Sequence, residues 1–116
     1  MKDLSMHSWH DVGAPDDFPD GAVWPVRAGG VEVAVFRLGD ELFALHDQCT
    51  HGAARLSDGY VEGDCVECPL HQGLIDIRTG EPRCFPVTVP VRSFPVRVTA
   101  GRVEVAARMA SQGSAA

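Results

Sequence analysis

The sequence lacks an apolar run long enough to cross a membrane, and its N-terminus lacks the hydrophobic stretch of a secretory leader. We therefore expect a cytoplasmic protein with no membrane partner. Positive charge is also scarce, with 10 lysine and arginine residues against 16 aspartate and glutamate residues and a net charge of −6. Because nucleic-acid binding needs a basic face, we expect no nucleic-acid partner.

Helical patterning is absent too, since no segment combines a 3.6-residue hydrophobic period with capping residues. Residues 31–39 (VEVAVFRLG) instead alternate apolar and polar side chains, between a predicted turn at 29–30 and another at 39–40. Residues 94–101 and 102–106 form a second predicted hairpin, with an inward-facing set of Val96, Val98, Val103 and Val105. The pattern predicts an all-β fold, an antiparallel β-sandwich or small barrel.

The length of 116 residues predicts a single domain that covers residues 1–116. The segment of about 47–86 is rich in glycine and carries seven acidic and three basic side chains. We expect it to be a loop-rich subdomain inserted between the predicted strands. The tail of about 108–116 has no pattern and is predicted to be frayed.

Cysteine is scarce as well, but three of the four cysteines lie close together. Cys49-x-His51 is followed after sixteen residues by Cys68-x-x-His71. Two such pairs can direct four ligands at one metal centre, and mixed thiolate and imidazole ligands suit zinc as well as iron. Cys65-x-x-Cys68 is a competing pair of the kind that zinc sites use. The spacing alone leaves a zinc site and an iron–sulfur site open.

The residues around these pairs extend the pattern. The stretch CTHGAARLSDGYVEGDCVECPLHQGLIDIRTGEP resembles the two cluster loops of Rieske [2Fe–2S] proteins. Beyond the ligand pairs, the matching positions are Thr50, Gly52, Leu56, Gly59, Pro69, Gly73, Asp76, Thr79 and Gly80. The resemblance implies a Rieske fold with one [2Fe–2S] cluster, held by Cys49 and Cys68 on one iron and His51 and His71 on the other. It implies no catalytic residue.

Three positions narrow the subclass. Ala54 and Leu70 stand where the Rieske proteins of quinol-oxidising complexes carry two bridging cysteines, and Gly73 stands where they carry a serine. The chain is similar instead to the small ferredoxins of bacterial aromatic-ring dioxygenase systems. That resemblance implies a monomeric one-electron carrier, itself not an enzyme, between a flavin-dependent ferredoxin reductase and a terminal oxygenase. The alternatives are a Rieske-type small subunit of a larger oxidoreductase, such as assimilatory nitrite reductase, and a structural zinc-binding module.

The remaining cysteines and histidines are assigned ordinary roles. We expect Cys65 and Cys84 to be buried free thiols, and His7 and His10 to be exposed. His46 and Asp47 are expected in surface or core positions, with a hydrogen bond to a ligand as the alternative. Five residues are expected to flank the cluster tip, either as a docking rim or through ordinary loop packing: Arg55, Leu70, Gln72, Leu74 and Pro86.

Overall fold

The computed structural model describes residues 8–50, 52–70, 72–85 and 87–107. These ranges contain eleven strands and two three-residue 3-10 turns, at Pro15–Asp17 and Leu56–Asp58. The strands are β1 (His10–Gly13), β2 (Val23–Ala28), β3 (Val31–Leu38), β4 (Glu41–His46), β5 (Tyr60–Glu62), β6 (Cys65–Glu67), β7 (Leu74–Asp76), β8 (Pro82–Cys84), β9 (Ser93–Phe94), β10 (Val96–Thr99) and β11 (Arg102–Val105). All strand pairs are antiparallel, so the predicted all-β class is confirmed. No helix in these ranges is long and apolar enough to cross a membrane.

The central sheet has the strand order β2-β3-β4-β9. Its first hairpin is the predicted one: β2 and β3 pair from Val23 opposite Phe36 to Ala28 opposite Val31. Gly29 and Gly30 join them with φ angles of 59° and 85°. A two-residue hairpin loop with both φ angles positive matches the twist of the strands, and glycine adopts that backbone without strain.

Strand β3 is buried on both faces, which explains its run of four buried residues. Ala34 and Phe36 face a core that also contains Cys49 and Cys68. Residues of the opposite face, such as Val33, pack in a second core with the C-terminal strands. The central sheet therefore packs against a different core on each of its faces, and one of these cores contains the two cysteines of the predicted metal site.

The second core is closed by a three-stranded sheet of order β1-β11-β10. The C-terminal hairpin is confirmed, and Val103 and Val105 are buried as predicted. The prediction for Val98 is wrong, because its side chain is 53% exposed. It lies on β10, an edge strand, so no neighbouring strand covers its outer side. His10 was predicted to be exposed but is half-buried, because it lies on β1, a strand that the sequence did not predict.

The segment of about 47–86 is more regular than its predicted loop-rich character. It contains a third sheet, of order β5-β6-β7-β8, made of four strands of three residues each. Val66 and Ile75 are opposite one another in this sheet, and both are fully buried in the core that includes Cys49 and Cys68. The sheet thus gives Cys68 a fixed position, since β6 ends directly before it.

Candidate metal centre

The first predicted ligand pair lies on a loop that follows β4; we call residues 47–58 loop 1. Cys49 is buried, with only 2% of its surface exposed. Its N–H donates to the carbonyl of Ala54 at 2.9 Å, and the N–H of Ala54 donates to the carbonyl of Gly52 at 2.9 Å. These two backbone hydrogen bonds fold loop 1 back on itself and fix the direction of the Cys49 side chain.

The second pair lies on residues 68–73, which we call loop 2. Cys68 is 1% exposed, and its N–H donates to the carbonyl of Gly73 at 2.8 Å. Its carbonyl accepts a 3.0 Å hydrogen bond from the N–H of Gln72. Gln72 has a φ of 62°, in the left-handed region. Loop 2 is therefore a closed turn that begins and ends at the sheet formed by β5 to β8.

The two loops bring Cys49 and Cys68 together. Neither forms a disulfide, both lie in the same core, and their side chains are within hydrogen-bonding distance. Burial, followed by the hydrogen bond with Cys49, raises the pKa of the Cys68 thiol to about 11, although the N–H of Leu70 hydrogen-bonds its sulfur and acts in the opposite direction. Two adjacent buried sulfur atoms that form no disulfide are a donor set suited to a soft metal centre.

His51 and His71 lie outside the described residues, so the predicted set of four ligands stays a prediction. In the described part of the chain, no three histidine, cysteine, aspartate or glutamate side chains converge on one point. The two cysteines fit a cluster bound between the loops, because they are the buried half of a 2+2 set. Each of the two histidines is adjacent in sequence to an exposed residue, Thr50 or Leu70.

Cys65 does not join this pair. It lies on β6 opposite Asp76 of β7, and the charges that act on it are those of Arg83, Asp76, Asp64 and Glu62. Burial is the main cause that raises the pKa of the Cys65 thiol. The competing Cys65-x-x-Cys68 pair is therefore not assembled as a zinc knuckle.

The prediction that Cys65 and Cys84 are buried is wrong for Cys84 and holds only in part for Cys65. Cys84 is exposed and Cys65 is half-buried, and both are free. Cys84 ends β8, which is the edge strand of its sheet, so no neighbouring strand covers it on that side.

Asp47 contributes more to the structure of the site than was predicted from the sequence. It is the one charged side chain in the described core, at 3% exposure. Its carboxylate accepts hydrogen bonds from the Ser57 N–H at 2.7 Å and the Ser57 hydroxyl at 2.6 Å. The Arg55 guanidinium also donates to it, at 3.3 Å. The hydrogen bonds of Asp47 therefore join the start of loop 1 to its end and stabilise the loop that carries Cys49.

The ties of Asp47 continue into the central sheet. The Asp47 N–H donates to the carbonyl of Glu32 on β3 at 2.9 Å. Arg55 forms an ion pair with the Glu32 carboxylate at 3.6 Å, and Glu32 pairs with Arg27 at 2.8 Å. The sequence signal was an acidic residue directly after a strand, but only the fold shows its side-chain partners, Arg55 and Ser57, eight and ten residues further on.

A third segment, residues 87–92, packs beside the two loops. Val87 and Val91 are buried in the core of the site. The Thr50 hydroxyl donates to the carbonyl of Val89 at 2.6 Å, and the N–H of Val91 donates to the carbonyl of Gly80 at 2.8 Å. Gly80 has a φ of 83°, and a Cβ at this position would overlap the Val91 carbonyl. This close approach explains why a glycine stands in the Thr79-Gly80 pair.

The exposed end of the site is partly apolar. Leu70 is 40% exposed, and its side chain lies against loop 1, since a Cβ on Gly52 would be 2.7 Å from Leu70 Cδ2. Val89 is also exposed. Of the predicted rim residues, Arg55, Leu70 and Gln72 are exposed and Leu74 is half-buried, whereas Pro86 lies outside the described residues.

Comparisons with known proteins agree with this geometry. The family model described as the Rieske [2Fe-2S] domain matches residues 8–95. The anthranilate 1,2-dioxygenase ferredoxin subunit of Burkholderia cepacia is 58% identical over 105 residues, which cover 90% of this chain and 97% of that protein. The ferredoxin component of the naphthalene 1,2-dioxygenase/salicylate 5-hydroxylase systems of a Ralstonia species is 44% identical over 96 residues, which cover 83% and 92% of the two chains.

Solved structures show the same relationship. A chain in the complex of reduced oxygenase and oxidised ferredoxin of carbazole 1,9a-dioxygenase is 44% identical, with a TM-score of 0.80, over 84% of this chain and 92% of that one. A Mycobacterium tuberculosis protein provisionally assigned as an NADH-dependent nitrite reductase small subunit has a TM-score of 0.79 but only 27% identity, over 89% and 97%. A Rieske domain carries one Rieske-type cluster, which excludes the zinc-module alternative. The chain belongs to the Rieske [2Fe–2S] family and is a ferredoxin component of the aromatic-ring dioxygenase type.

Proposed function

We propose that this chain carries single electrons from a flavin-dependent reductase to a terminal oxygenase that acts on an aromatic ring. We further propose Cys49, His51, Cys68 and His71 as the four cluster ligands. One observation carries the proposal: two loops of a Rieske ferredoxin bring two buried, reduced cysteines together. Each cysteine is followed in the sequence, within three residues, by one of the two histidines. When bound, a Rieske cluster supplies reversible one-electron transfer.

The residues of the chain divide this task. Cys49 and Cys68 lie in the core, where apolar side chains exclude water. Thr50, Leu70 and Gln72 are adjacent in sequence to the two histidines and are exposed. A partner that docks on these residues approaches the site without displacing the core. The proposed route for electrons therefore runs through the exposed ends of loops 1 and 2.

The relatives support a choice of partners to test. Because the ferredoxin subunit of an anthranilate 1,2-dioxygenase is 58% identical, the oxygenase of such a system is the first acceptor to test. We also propose that the chain acts as a monomer and as one domain over residues 1–116, with the cluster-binding subdomain at about 47–86. An acceptor from a naphthalene system is the matched comparison, since its ferredoxin is 44% identical.

The ligand set is tested with paired variants. We expect purified protein to contain two irons and two sulfides and to give the electron paramagnetic resonance signal of mixed cysteine and histidine ligation when reduced. Cys68→Ser and His71→Ala should abolish or convert that signal. Their controls, Cys65→Ser and His46→Ala, change half-buried residues of the same types and should keep it. Loss of the signal in both controls, or its survival in both ligand variants, contradicts the assignment.

The carrier role is tested by reconstitution. Reductase, this ferredoxin and the oxygenase should together oxidise NAD(P)H in proportion to hydroxylated product, and omission of the ferredoxin should stop turnover. The alternative, a permanent small subunit of nitrite reductase, predicts stable co-purification with a large subunit and no support of oxygenase turnover. The lower identity of 27% to a protein of that kind does not favour it.

A further inference from the structure

Gln72 has a backbone conformation that its side chain disfavours. Among the described residues, only Gln72 and Ala100 have a positive φ without being glycine. Ala100 lies in the two-residue turn between β10 and β11, where hairpin geometry requires that conformation. Gln72, with a φ of 62°, lies instead at the exposed end of loop 2.

The path of loop 2 explains the conformation but not the glutamine. The chain must reverse between Cys68 and Gly73, and the hydrogen bonds from Gln72 N–H to the Cys68 carbonyl and from Cys68 N–H to the Gly73 carbonyl close that reversal. Only backbone atoms of Gln72 take part. Glycine would satisfy the same geometry without steric strain, as it does at other left-handed positions of this chain.

Among the described residues, the side chain of Gln72 has no hydrogen-bond partner that offsets this strain. It is exposed, and its amide forms no hydrogen bond with any other described residue. Leu70, two residues earlier in the same loop, is 40% exposed, so the exposed end of loop 2 combines an apolar side chain with an amide that has both donor and acceptor atoms. Residues that keep a strained backbone where a simpler residue would fit are concentrated at functional sites.

We propose that Gln72 is a specificity-determining residue that hydrogen-bonds the terminal oxygenase when the ferredoxin docks. The inference rests on the proposed function and assigns to it one side chain of the docking face. In the docked complex the exposed Leu70 of the same loop excludes water from the contact, and the amide requires a hydrogen-bonding group, such as a peptide carbonyl, at one point of the oxygenase surface. A partner without that group leaves a desolvated amide unpaired and is rejected.

Three variants separate the side chain from the backbone. Gln72→Gly removes both the side chain and the strain, so we expect a higher melting temperature of the cluster-loaded protein. Gln72→Ala removes the side chain but keeps the strain, so its melting temperature should not rise. Both should raise the KM for ferredoxin in oxygenase turnover by about three- to tenfold, the range of one hydrogen bond, at an unchanged kcat. Thr99→Ala, at an exposed polar residue of β10 outside loops 1 and 2, is the control and should leave KM unchanged.

The outcomes are distinct. Wild-type KM in both Gln72 variants overturns the inference and leaves the carrier function intact. A raised KM in Gln72→Gly alone assigns the effect to the backbone and also overturns it, as does a change confined to reduction by the reductase. A shifted midpoint potential in Gln72→Ala would mean that the residue acts on the cluster rather than on the partner. If the wild-type protein supports turnover of no aromatic-ring oxygenase, the proposed function fails and the inference fails with it.

Discussion

Substitution of Ser57 by alanine tests whether the buried Asp47 carboxylate holds loop 1 in place. Ser57 contributes two of the donors to this carboxylate, its N–H at 2.7 Å and its hydroxyl at 2.6 Å. Alanine keeps the N–H and removes only the hydroxyl. The perturbation is therefore one short hydrogen bond to a charged group whose side chain is fully buried.

The magnitude follows from that contact. A hydrogen bond to a charged group contributes about 1.5–3 kcal/mol, and water cannot replace the lost hydroxyl where the carboxylate is buried. Arg55 limits the loss because it still donates at 3.3 Å, but its side chain is 51% exposed and its attraction is weakened by solvent. We expect Ser57→Ala to lower the free energy of unfolding by about 2 kcal/mol, or the melting temperature by roughly 6–12 °C in a domain of this size.

The assay follows the visible absorbance of the cluster and the far-ultraviolet circular dichroism during heating. Ser93→Ala is the control, because Ser93 is exposed on β9 and its hydroxyl has no hydrogen-bond partner among the described residues. We expect the variant to lose its cluster well before the control does. If the two alanine variants melt at the same temperature, Asp47 does not hold loop 1, and the reasoning from its burial is refuted.

Two further predictions concern the segments that support the loops. Gly80→Ala should lower the free energy of unfolding by about 1–3 kcal/mol or more, because alanine is strained at a φ of 83° and its Cβ would overlap the Val91 carbonyl. The control in the same denaturant titration is Gly101→Ala, which is strained at a φ of 76° but has open space around its Cβ, so its free energy of unfolding should fall less. Burial alone would raise the pKa of Asp76, but hydrogen bonds from the N–H groups of Thr79 and Arg78 and from Arg83 hold the pKa below its ordinary value of 3.8. The carboxylate therefore stabilises the fold above that pH. The difference in free energy of unfolding between wild type and Asp76→Asn should have its full value at pH 7 and shrink as the pH falls below 3.8. A difference at pH 3 equal to that at pH 7 contradicts this role.

The long hairpins could be predicted because their signals are local. Strands β3 and β4 alternate over several residues, and the glycine at each turn marks where the chain reverses. Strand β1 has the sequence HDVG, which carries no alternation, and its partner β11 lies about 90 residues away. The strands β5 to β8 are three residues long, too short for a period to appear. Pairing across the fold, not local propensity, makes these segments strands.

The same distinction applies to the site. The cluster family could be predicted because the stretch that resembles the Rieske cluster loops is continuous in the sequence, whereas the set of four ligands stays a prediction. Two other contacts join segments that no local pattern connects. They are the hydrogen bond from the Ser57 hydroxyl to the Asp47 carboxylate and the close approach of Gly80 to Val91. Cys84 was predicted to be buried from the average behaviour of cysteine, but its place on an edge strand decides its exposure.

The reduction potential of the cluster should depend on the hydrogen-bond donors and the charges around the site. Where related centres of quinol-oxidising complexes carry a serine, this chain has Gly73, which is buried and has no hydroxyl to donate to a cluster sulfur. Residues 47–86 also carry seven carboxylates against three basic side chains, and one of the carboxylates, Asp47, is buried two residues before Cys49. Fewer donors and more negative charge both disfavour the added electron, so we expect a midpoint toward the lower end of the roughly −150 to +300 mV range of Rieske centres. Gly73→Ser should raise that midpoint. A redox titration that places the wild-type protein well above zero contradicts the argument, because neither the missing hydroxyl nor the acidic surroundings would then set the potential.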